Sequence, residues 1–259
     1  MPLRPVILLA FAAALSPAPP EAAGRLEFRV TPAVIEVGSF YGGSRMRLEG
    51  AVSAQARVAV VVRGPGREET FNRKGKVGPI WVTTGKVHVS GVPSLFLRFT
   101  SGPLRSFLSR EAIDKHQLDE ASIRNQMRIK PDRDRDVILA GWLNVKGRDG
   151  TYALVRDGVK MGAPGAGGVP FTVEFAWPKK APPGQYEVSV YECRDGAVAR
   201  AASSSLPVVE VGFPAWLSGI AENRAALYGL VAVVAAALAG FGIDFLATLI
   251  LGRRRARAH

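Results

Sequence analysis

The sequence predicts a mainly β protein: an immunoglobulin-like β-sandwich with a helical insertion, followed by one C-terminal transmembrane α-helix. Three observations support this class. Short alternating or β-branched runs recur about every ten residues between turn residues, which favours a sandwich over a helical bundle. A stretch at about 103–146 lacks this alternation and has helical character. A long uncharged run stands close to the C-terminus, and it has the length that a membrane-spanning helix needs.

Residues 1–23 have the pattern of a signal peptide. Arg4 supplies a positive charge, residues 6–15 are apolar, and a segment rich in proline and alanine follows. About ten apolar residues are too few to span a bilayer, so we expect export and cleavage near Ala22 or Ala23. Because the residues before this point are larger than a cleavage site favours, an uncleaved anchor stays open as the alternative.

Strand patterns fill the region before residue 100 and return after residue 170. The run RVAVVVR at Arg57–Arg63 has β-branched residues at successive positions, which suits a central strand. Asp195-Gly196 is a typical two-residue hairpin turn. The predicted strands lie at 26–30, 46–51, 57–63, 77–83, 87–89, 95–99, 171–175, 186–190, 197–202 and 208–211.

The helical insertion has its own start signals. Ser109 can cap a first helix and Asp119 a second, because their side chains can accept hydrogen bonds from the first turn. Aspartate and arginine alternate at 131–136, which predicts a charged linker or cap. For the apolar residues 137–145, strand and helix both stay open. Glycine-rich residues 162–168 predict a flexible loop.

Residues 225–251 determine where the rest of the chain lies. A helix of this length crosses a hydrocarbon core of roughly 30 Å and satisfies its own backbone in lipid. Four arginines follow the run, whereas only Arg224 directly precedes it. Since Lys and Arg concentrate on the cytoplasmic side, we expect a cytoplasmic tail at 252–259 and an extracytoplasmic domain at 24–211, on the bacterial inner membrane. The alternative is a buried core helix with a basic tail. The four arginines are Arg253, Arg254, Arg255 and Arg257.

Two side-chain patterns predict how the membrane anchor contacts its surroundings. In segment 212–224, apolar residues at helical spacing predict either an amphipathic helix in the headgroup layer or packing on the folded domain. Within the apolar run, small residues every fourth position would let a partner helix approach closely, although the acid among them could instead reach water at the inner interface. The interfacial residues are Phe213, Trp216, Leu217, Ile220 and Tyr228, and the partner-helix face is Ala232, Ala236, Gly240 and Asp244.

Charge and cysteine content limit the function. The net charge is +12, and the tail arginines account for four of these charges. The remaining charge indicates contact with an anionic membrane surface, an acidic ligand or an acidic partner. We expect no nucleic-acid partner, because an exported domain would not ordinarily meet one. Cys193 is the single cysteine, so no intrachain disulfide is possible, and it is most simply a small strand residue.

One cluster of basic residues is a candidate anion or partner site. These residues flank a glycine-rich turn, and basic side chains beside exposed backbone N–H groups can hold an anion. A plain basic hairpin is the alternative. The candidate residues are Arg63, Arg67, Arg73, Lys74, Lys76 and Trp81.

No stretch of the sequence has the pattern of a catalytic or cofactor site. We expect no cofactor and no metal, because the three histidines are scattered and a single cysteine offers no zinc-type cluster. Asp132, Asp134 and Asp136 alternate with arginines, which favours a solvated charge run over a cation site.

Four segments resemble a bacterial, alphaproteobacterial-type family of transmembrane proteins (Alph_Pro_TM). They are GKVGPIWV at 75–82, VPSLFLRFTSGPL at 92–104, PPGQYEVSVYECRDGAV at 182–198, and VGFPAWL with ALYGLVAVVAAALAG between 211 and 240. The resemblance covers most of the chain after the signal peptide, and the block around Trp81 is among its most specific parts. It implies a β-rich outer domain, one C-terminal helix and no characterised activity. It also implies genes that lie near transporters of the sulfite-exporter type.

We therefore expect a non-enzymatic, single-pass membrane protein that binds or scaffolds a partner, with a membrane transporter as the first candidate. A tethered module that binds an anion or small ligand is the second hypothesis. A membrane-anchored hydrolase is the third, and it would need a deep pocket with convergent polar groups around His88 or His116.

Overall fold

The computed structural model describes residues 26–132 and 134–255. The predicted signal peptide at 1–23 and Arg257 lie outside the described residues. The strands are β1 (Phe28–Thr31), β2 (Ile35–Val37), β3 (Arg45–Val52), β4 (Arg57–Arg63), β5 (Glu69–Val77), β6 (Ile80–Ser90), β7 (Phe96–Thr100), β8 (Arg128–Lys130), β9 (Tyr152–Val155), β10 (Val159–Met161), β11 (Val169–Ala176), β12 (Gly184–Arg194) and β13 (Ala197–Glu210). The helices are α1 (Arg110–Lys115), α2 (Glu120–Gln126), α3 (Arg135–Arg148), α4 (Phe213–Asn223) and α5 (Ala225–Arg255), with a 3₁₀ helix at Leu104–Ser106.

Two sheets share one buried apolar core. The smaller sheet has the strand order β1-β3-β11-β10, and the larger has the order β2-β13-β12-β4-β7-β9. Their alternating inward side chains form a cluster that we call the front core, which contains Leu48 and Val173 from the smaller sheet and Val60 and Val190 from the larger. This pairing of two sheets over a common core is a sandwich, so the mainly β prediction is confirmed.

Strand β4 is buried on both of its faces. Val58, Val60 and Val62 belong to the front core, whereas Ala59 and Val61 belong to a second cluster on the opposite face. All five side chains have 0% exposure. A strand that is covered on both sides needs apolar residues at every position, and this explains the uninterrupted run in RVAVVVR.

A layer of helices and a small third sheet covers the back of the larger sheet. The third sheet has the order β5-β6-β8. The second cluster, which we call the back core, joins Tyr191 and Cys193 of the larger sheet to Val89, Ile113 and Trp142 of the back layer. The larger sheet is therefore the middle of three layers.

The structure confirms the helical insertion and its caps. The Ser109 side chain accepts a hydrogen bond from the Ala112 amide at 3.2 Å, and Asp119 accepts one from the Ser122 amide at 3.0 Å. The apolar residues 137–145, for which two possibilities were open, belong to helix α3. Short strand β8 lies between the second and third helices, so the insertion also contributes to the third sheet.

Several strand boundaries differ from the prediction. Strands β2, β8, β9 and β10, and all of β5 except Val77, lie where no strand is predicted. Strands β6 and β13 are each continuous where two strands are predicted, and the predicted strand at 77–83 is wrong at Gly78 and Pro79, which form a turn. In β13 the polar run Ser203–Ser205 interrupts the alternation, yet the backbone continues to pair with β12 through these residues. Backbone hydrogen bonds between strands do not require apolar side chains. The strand can therefore continue past the point where the alternation of apolar residues ends. The immunoglobulin-like detail stays a prediction.

Two helices follow the sandwich at the C-terminus. Helix α4 has no buried residue, and helix α5 begins two residues after it ends. Within the described residues, one helix is long and apolar enough to cross a membrane: Ala225–Thr248 has a mean hydropathy of 2.3, and none of its most apolar window is buried in the protein. Helix α5 extends to Arg255, so three of the four predicted topology arginines continue the same helix.

Candidate functional site

The β5–β6 hairpin carries exposed apolar side chains at its tip. Gly78, with φ of 61°, and Pro79 form the two-residue turn, and Val77 pairs with Ile80 across it. Glycine suits the first position of such a turn because this backbone conformation strains other residues. Val77, Ile80 and Trp81 are 59%, 60% and 69% exposed. Three adjacent large apolar residues in water are typical of an interaction surface rather than of isolated exposed residues.

A cleft lies between the same hairpin and helix α3. Its volume is about 410 Å³, which falls within the size range of ligand and partner pockets. At its edge Val137 is 73% exposed, and Gly141 leaves open space where a side chain would otherwise stand. The apolar lining residues are Phe71, Val87, Val89, Val137, Ile138, Trp142 and Val145. We call this cleft together with Val77, Ile80 and Trp81 the hairpin surface.

A buried ion pair fixes helix α3 to the base of the hairpin. The Lys146 ammonium lies 2.5 Å from a Glu69 oxygen, and the Trp142 indole donates to the other Glu69 oxygen at 3.4 Å. Lys146 also lies over the rings of Trp142 and Tyr152. Burial, with the Glu69 charge as the second cause, raises the pKa of Tyr152 above its ordinary value. The side of the cleft is therefore held rigidly by charge and aromatic contacts.

The basic residues of the predicted patch do not form one site. Arg73 and Lys74 line the hairpin cleft, where Arg73 pairs with Asp134 at 2.7 Å and Lys74 donates to Thr83 at 3.2 Å. Lys76 is exposed near the tip. Arg63, in contrast, lines another cavity of about 730 Å³. The patch is thus divided between two regions, and its binding role stays a prediction.

Arg63 has its donors used inside the protein. Its guanidinium donates to the His116 and Gln117 carbonyls at 2.9 and 3.0 Å and to the Tyr191 hydroxyl at 3.3 Å. Burial, then the charges of Lys115 and Arg63, lowers the pKa of His116, so this imidazole is neutral at pH 7. Arg63 therefore joins β4 to the helical insertion. Arg67 is exposed in the loop before β5.

The residues predicted at the membrane lie on the two C-terminal helices. On α4, Phe213 and Trp216 are exposed with their rings 5.7 Å apart, while Leu217 and Ile220 are half-buried. On α5, Tyr228 is exposed near the start of the helix. The small-residue face is exposed along its whole length: Ala232, Ala236, Gly240 and Asp244. The geometry is compatible with the predicted roles, which stay predictions.

No catalytic constellation is evident around the two described histidines. His88, on the middle strand of the third sheet, contacts Thr70 and Glu68, whereas the His116 ring packs edge-on against Tyr191. Among the described residues, no three His, Cys, Asp or Glu side chains are placed to share a metal ion.

Sequence reasoning missed most of the apolar lining of the hairpin surface. Trp81 is predicted as a site residue because of its basic neighbours. Val77 and Ile80, beside the Gly78-Pro79 turn, are not predicted as site residues. Apolar residues on both sides of a tight turn are a usable signal, because hairpin tips are normally solvated. No sequence pattern marks Val137 and Gly141 as site residues, because they lie beside the hairpin only where helix α3 packs against it.

Comparison with known families agrees with this architecture. A β-rich domain joined to an exposed apolar helix defines a membrane-anchored class of protein. The chain belongs to the family described as "Putative transmembrane protein (Alph_Pro_TM)", whose model matches residues 25–248. Neither the curated proteins nor the solved structures include a match to the chain. Family membership and the apolar helix at Ala225–Thr248 together show membrane association.

Proposed function

We propose that this protein is a single-pass membrane anchor whose extracytoplasmic domain binds a partner protein through the hairpin surface. The observation that carries the proposal is the exposed apolar tip beside an open apolar cleft. Burying such side chains in an interface stabilises a complex by roughly 25 cal/mol per Å² of apolar area removed from water. Aromatic residues such as Trp81 are enriched at the centres of protein interfaces.

We further propose the inner-membrane orientation that the sequence predicts. Its support is the charge asymmetry around α5, with four arginines behind the apolar segment. The signal peptide at 1–23 agrees with export of the β-rich domain. Phe213 and Trp216, exposed together at the start of α4, suit a helix lying in the headgroup layer.

The partner that fits best is a second membrane protein. The rim of the hairpin surface is basic, with Lys74, Lys76 and Lys86 exposed around it, so an acidic partner surface would complement it. A partner in the same bilayer could also use the small-residue face of α5, where Gly240 leaves open space. A transporter accessory role is the form of this proposal that the family resemblance supports.

The cleft can be filled without disturbing the core. A Cβ at Gly141 or at Gly147 would meet no atom within 4 Å, and both glycines lie in α3. Replacing either with leucine adds helix propensity of up to about 1 kcal/mol. Gly141→Leu places bulk in the cleft, whereas Gly147→Leu places the same bulk outside its lining. The two variants form a matched pair.

The test is crosslinking in intact cells with a photoreactive residue at position 81, followed by purification of the full chain in detergent. We expect one membrane protein to be crosslinked, with a yield that falls at least fivefold in Gly141→Leu and is unchanged in Gly147→Leu. A photoreactive residue at position 40, where Phe40 is 100% exposed, controls for random contact. Equal yields in the two leucine variants would contradict a role for the cleft.

A further inference from the structure

A second cavity lies on the back of the larger sheet, away from the hairpin surface. Its volume is about 560 Å³. Strand β7, the 3₁₀ helix, helices α1 and α2 and the end of β9 form its walls. Four arginines and two acids stand among apolar residues in the lining: Arg98, Arg105, Arg124, Arg156, Asp119 and Glu120. None of these residues belongs to the basic patch predicted from the sequence.

Arg98 is buried, and its Nε–H has no hydrogen-bond partner among the described residues. The residue is only 8% exposed. One of its terminal nitrogens donates to the Leu118 carbonyl at 2.7 Å, whereas its Nε finds no acceptor among the described residues. A guanidinium has five N–H donors, and a buried donor without a partner is costly. A buried Nε–H without an acceptor in the wall of a cavity therefore indicates an acceptor that the described residues do not supply.

The carboxylates in the cavity already have partners. Glu120 binds Arg124 at 2.5 Å within helix α2, and Asp119 accepts from the Ser122 amide and hydroxyl as the cap of that helix. Arg98, Arg105 and Arg156 form no salt bridge with any described carboxylate. Three arginines without a carboxylate partner thus line one cavity.

The electrostatics of Arg98 agree with this geometry. Burial lowers the pKa of its guanidinium most, the nearby Asp119 charge raises it, and the positive charge of Arg156 lowers it again. The protein therefore keeps a desolvated cation near a second cation, and the Asp119 charge offsets only part of this cost. A bound anion would relieve both costs together, because it interacts favourably with each guanidinium.

We propose that this cavity binds a phosphate group through Arg98, Arg105 and Arg156. A phosphate monoester carries a charge of about −1.5 to −2 at pH 7 and three strong acceptor oxygens, which matches three unpaired guanidiniums. Arginine is well suited to such ligands because its planar fork can donate two parallel hydrogen bonds. The apolar residues Leu104, Ile113 and Leu154 leave a surface for the organic part of the ligand.

The phosphate group could come from a soluble monoester or from a phospholipid headgroup. Both present the same oxygens to the arginines, and they differ in the body attached to the phosphate. Suitable probes are inorganic phosphate, glycerol 3-phosphate and the soluble short-chain lipid dihexanoyl phosphatidic acid. This site is separate from the hairpin surface, so its test does not depend on the partner proposal.

The experiment is isothermal titration of the full chain, purified in an uncharged detergent and a phosphate-free chloride buffer. We expect Arg105→Ala and Arg156→Ala each to weaken binding of the best probe about tenfold or more, as expected for loss of a hydrogen bond to a charged group. Arg98→Met should abolish it. Arg110→Ala is the control, because this exposed helix arginine lies outside the cavity lining and its loss changes the net charge equally.

Each outcome decides the proposal. Binding of inorganic phosphate and glycerol 3-phosphate identifies a site for a soluble phosphate, and binding of dihexanoyl phosphatidic acid alone identifies a headgroup site. Either result supports the proposal if the arginine variants weaken the binding. Arg105 and Arg156 are exposed, so their variants remain informative if Arg98→Met does not fold. The proposal is overturned if no probe binds the unmodified chain at 10 mM, or if Arg110→Ala weakens binding as much as the cavity variants do.

Discussion

The two faces of the central sheet are built differently. The front core contains aliphatic and aromatic residues from two sheets, with Leu48, Val60 and Phe171 as typical members. The back face meets helices and the small third sheet, and it contains the buried Arg98 and the Glu69–Lys146 pair. Both cavities considered above as binding sites have walls in the back layer. Both proposed binding sites therefore involve the back layer, and neither involves the front core.

The strands themselves show the cause of this difference. Along β7, Leu97 and Phe99 point into the front core, whereas Phe96, Arg98 and Thr100 occupy the alternate positions. Two sheets packed face to face leave little room for long polar side chains, and the buried ion pair on this side, Glu192 with Arg200, lies at the end of the core, where Glu192 stands opposite Val58. Helices of six, seven and fourteen residues cover the back less evenly and leave space between them. Polar groups can therefore be placed there at a tolerable cost.

The largest expected effect is a loss of stability on removing a large side chain from the front core. The Phe171 ring lies over Gly50, where an added Cβ would be only 2.7 Å from it. Phe171→Ala would leave a cavity that the backbone cannot close, and we expect a loss of about 3–5 kcal/mol in the free energy of unfolding. Urea unfolding of the full chain in detergent, followed by tryptophan fluorescence, measures it. Exposed Phe40→Ala should change stability by less than about 0.5 kcal/mol.

A smaller loss is expected from the buried ion pair of the back layer. Glu69→Gln or Lys146→Met alone should cost about 2–3 kcal/mol, which is below the range for a fully buried pair because Glu69 keeps 24% of its side chain exposed. The double variant should lose less than either single variant, since no charge then stays unpaired. The same urea titration compares them. Additive losses would show that the two charges do not interact in the folded protein.

Local patterns predicted much of this architecture. The bounds of β4, the caps at Ser109 and Asp119 and the turn at Asp195-Gly196 depend on neighbouring residues, and the structure has all of them. The apolar helix was equally clear, because lipid imposes a strict length and composition. These features follow from short-range physics that a single sequence contains.

The two candidate binding sites could not be predicted in the same way. Arg98 receives its carbonyl partner from Leu118, and its cavity also requires Arg156, which lies 58 residues beyond it in the sequence. In the same manner, the hairpin cleft depends on contacts between Glu69 and Lys146. No spacing rule relates such residues, because they meet only when the helical insertion packs against the sheets. The sequence showed a basic protein, but not which arginines lacked partners.

Alkaline pH should lower the free energy of unfolding, because each face of the central sheet buries a weakly acidic side chain. These side chains are the Tyr186 phenol and the Cys193 thiol. Burial raises the pKa of Tyr186, in the front core, to about 12 and that of Cys193, in the back core, to about 12, against ordinary values of 10.0 and 9.0. The unfolded chain therefore loses these protons first as pH rises. The stability that Cys193 contributes is present below pH 9.0 and is lost from there to about pH 12, whereas that of Tyr186 is lost from pH 10.0 to about pH 12. Each falls by about 1.4 kcal/mol per pH unit within its own window.

Between pH 8 and pH 10, ionisation of the Cys193 thiol causes most of the change in stability. A tyrosine in the unfolded chain is only half ionised at pH 10. We expect the unmodified chain to lose about 1.4 kcal/mol more than Cys193→Ala over this interval. Urea midpoints at the two pH values give the difference. Tyr186→Phe should leave most of the loss in place. Parallel pH profiles for the unmodified chain and Cys193→Ala would show that the thiol ionises equally in both states.

The smallest effect tests whether the back layer depends on local helix signals. Helix α1 has six residues, too few to be stable without help, and its first turn relies on the Ser109 hydroxyl. Ser109→Ala should cost about 1 kcal/mol, whereas Ser109→Asp should restore most of it, because aspartate is an equally good cap. Urea midpoints of the three chains measure this order. If alanine and aspartate were equally destabilising, the cap would be incidental, and packing of Ile113 in the back core would hold the helix by itself.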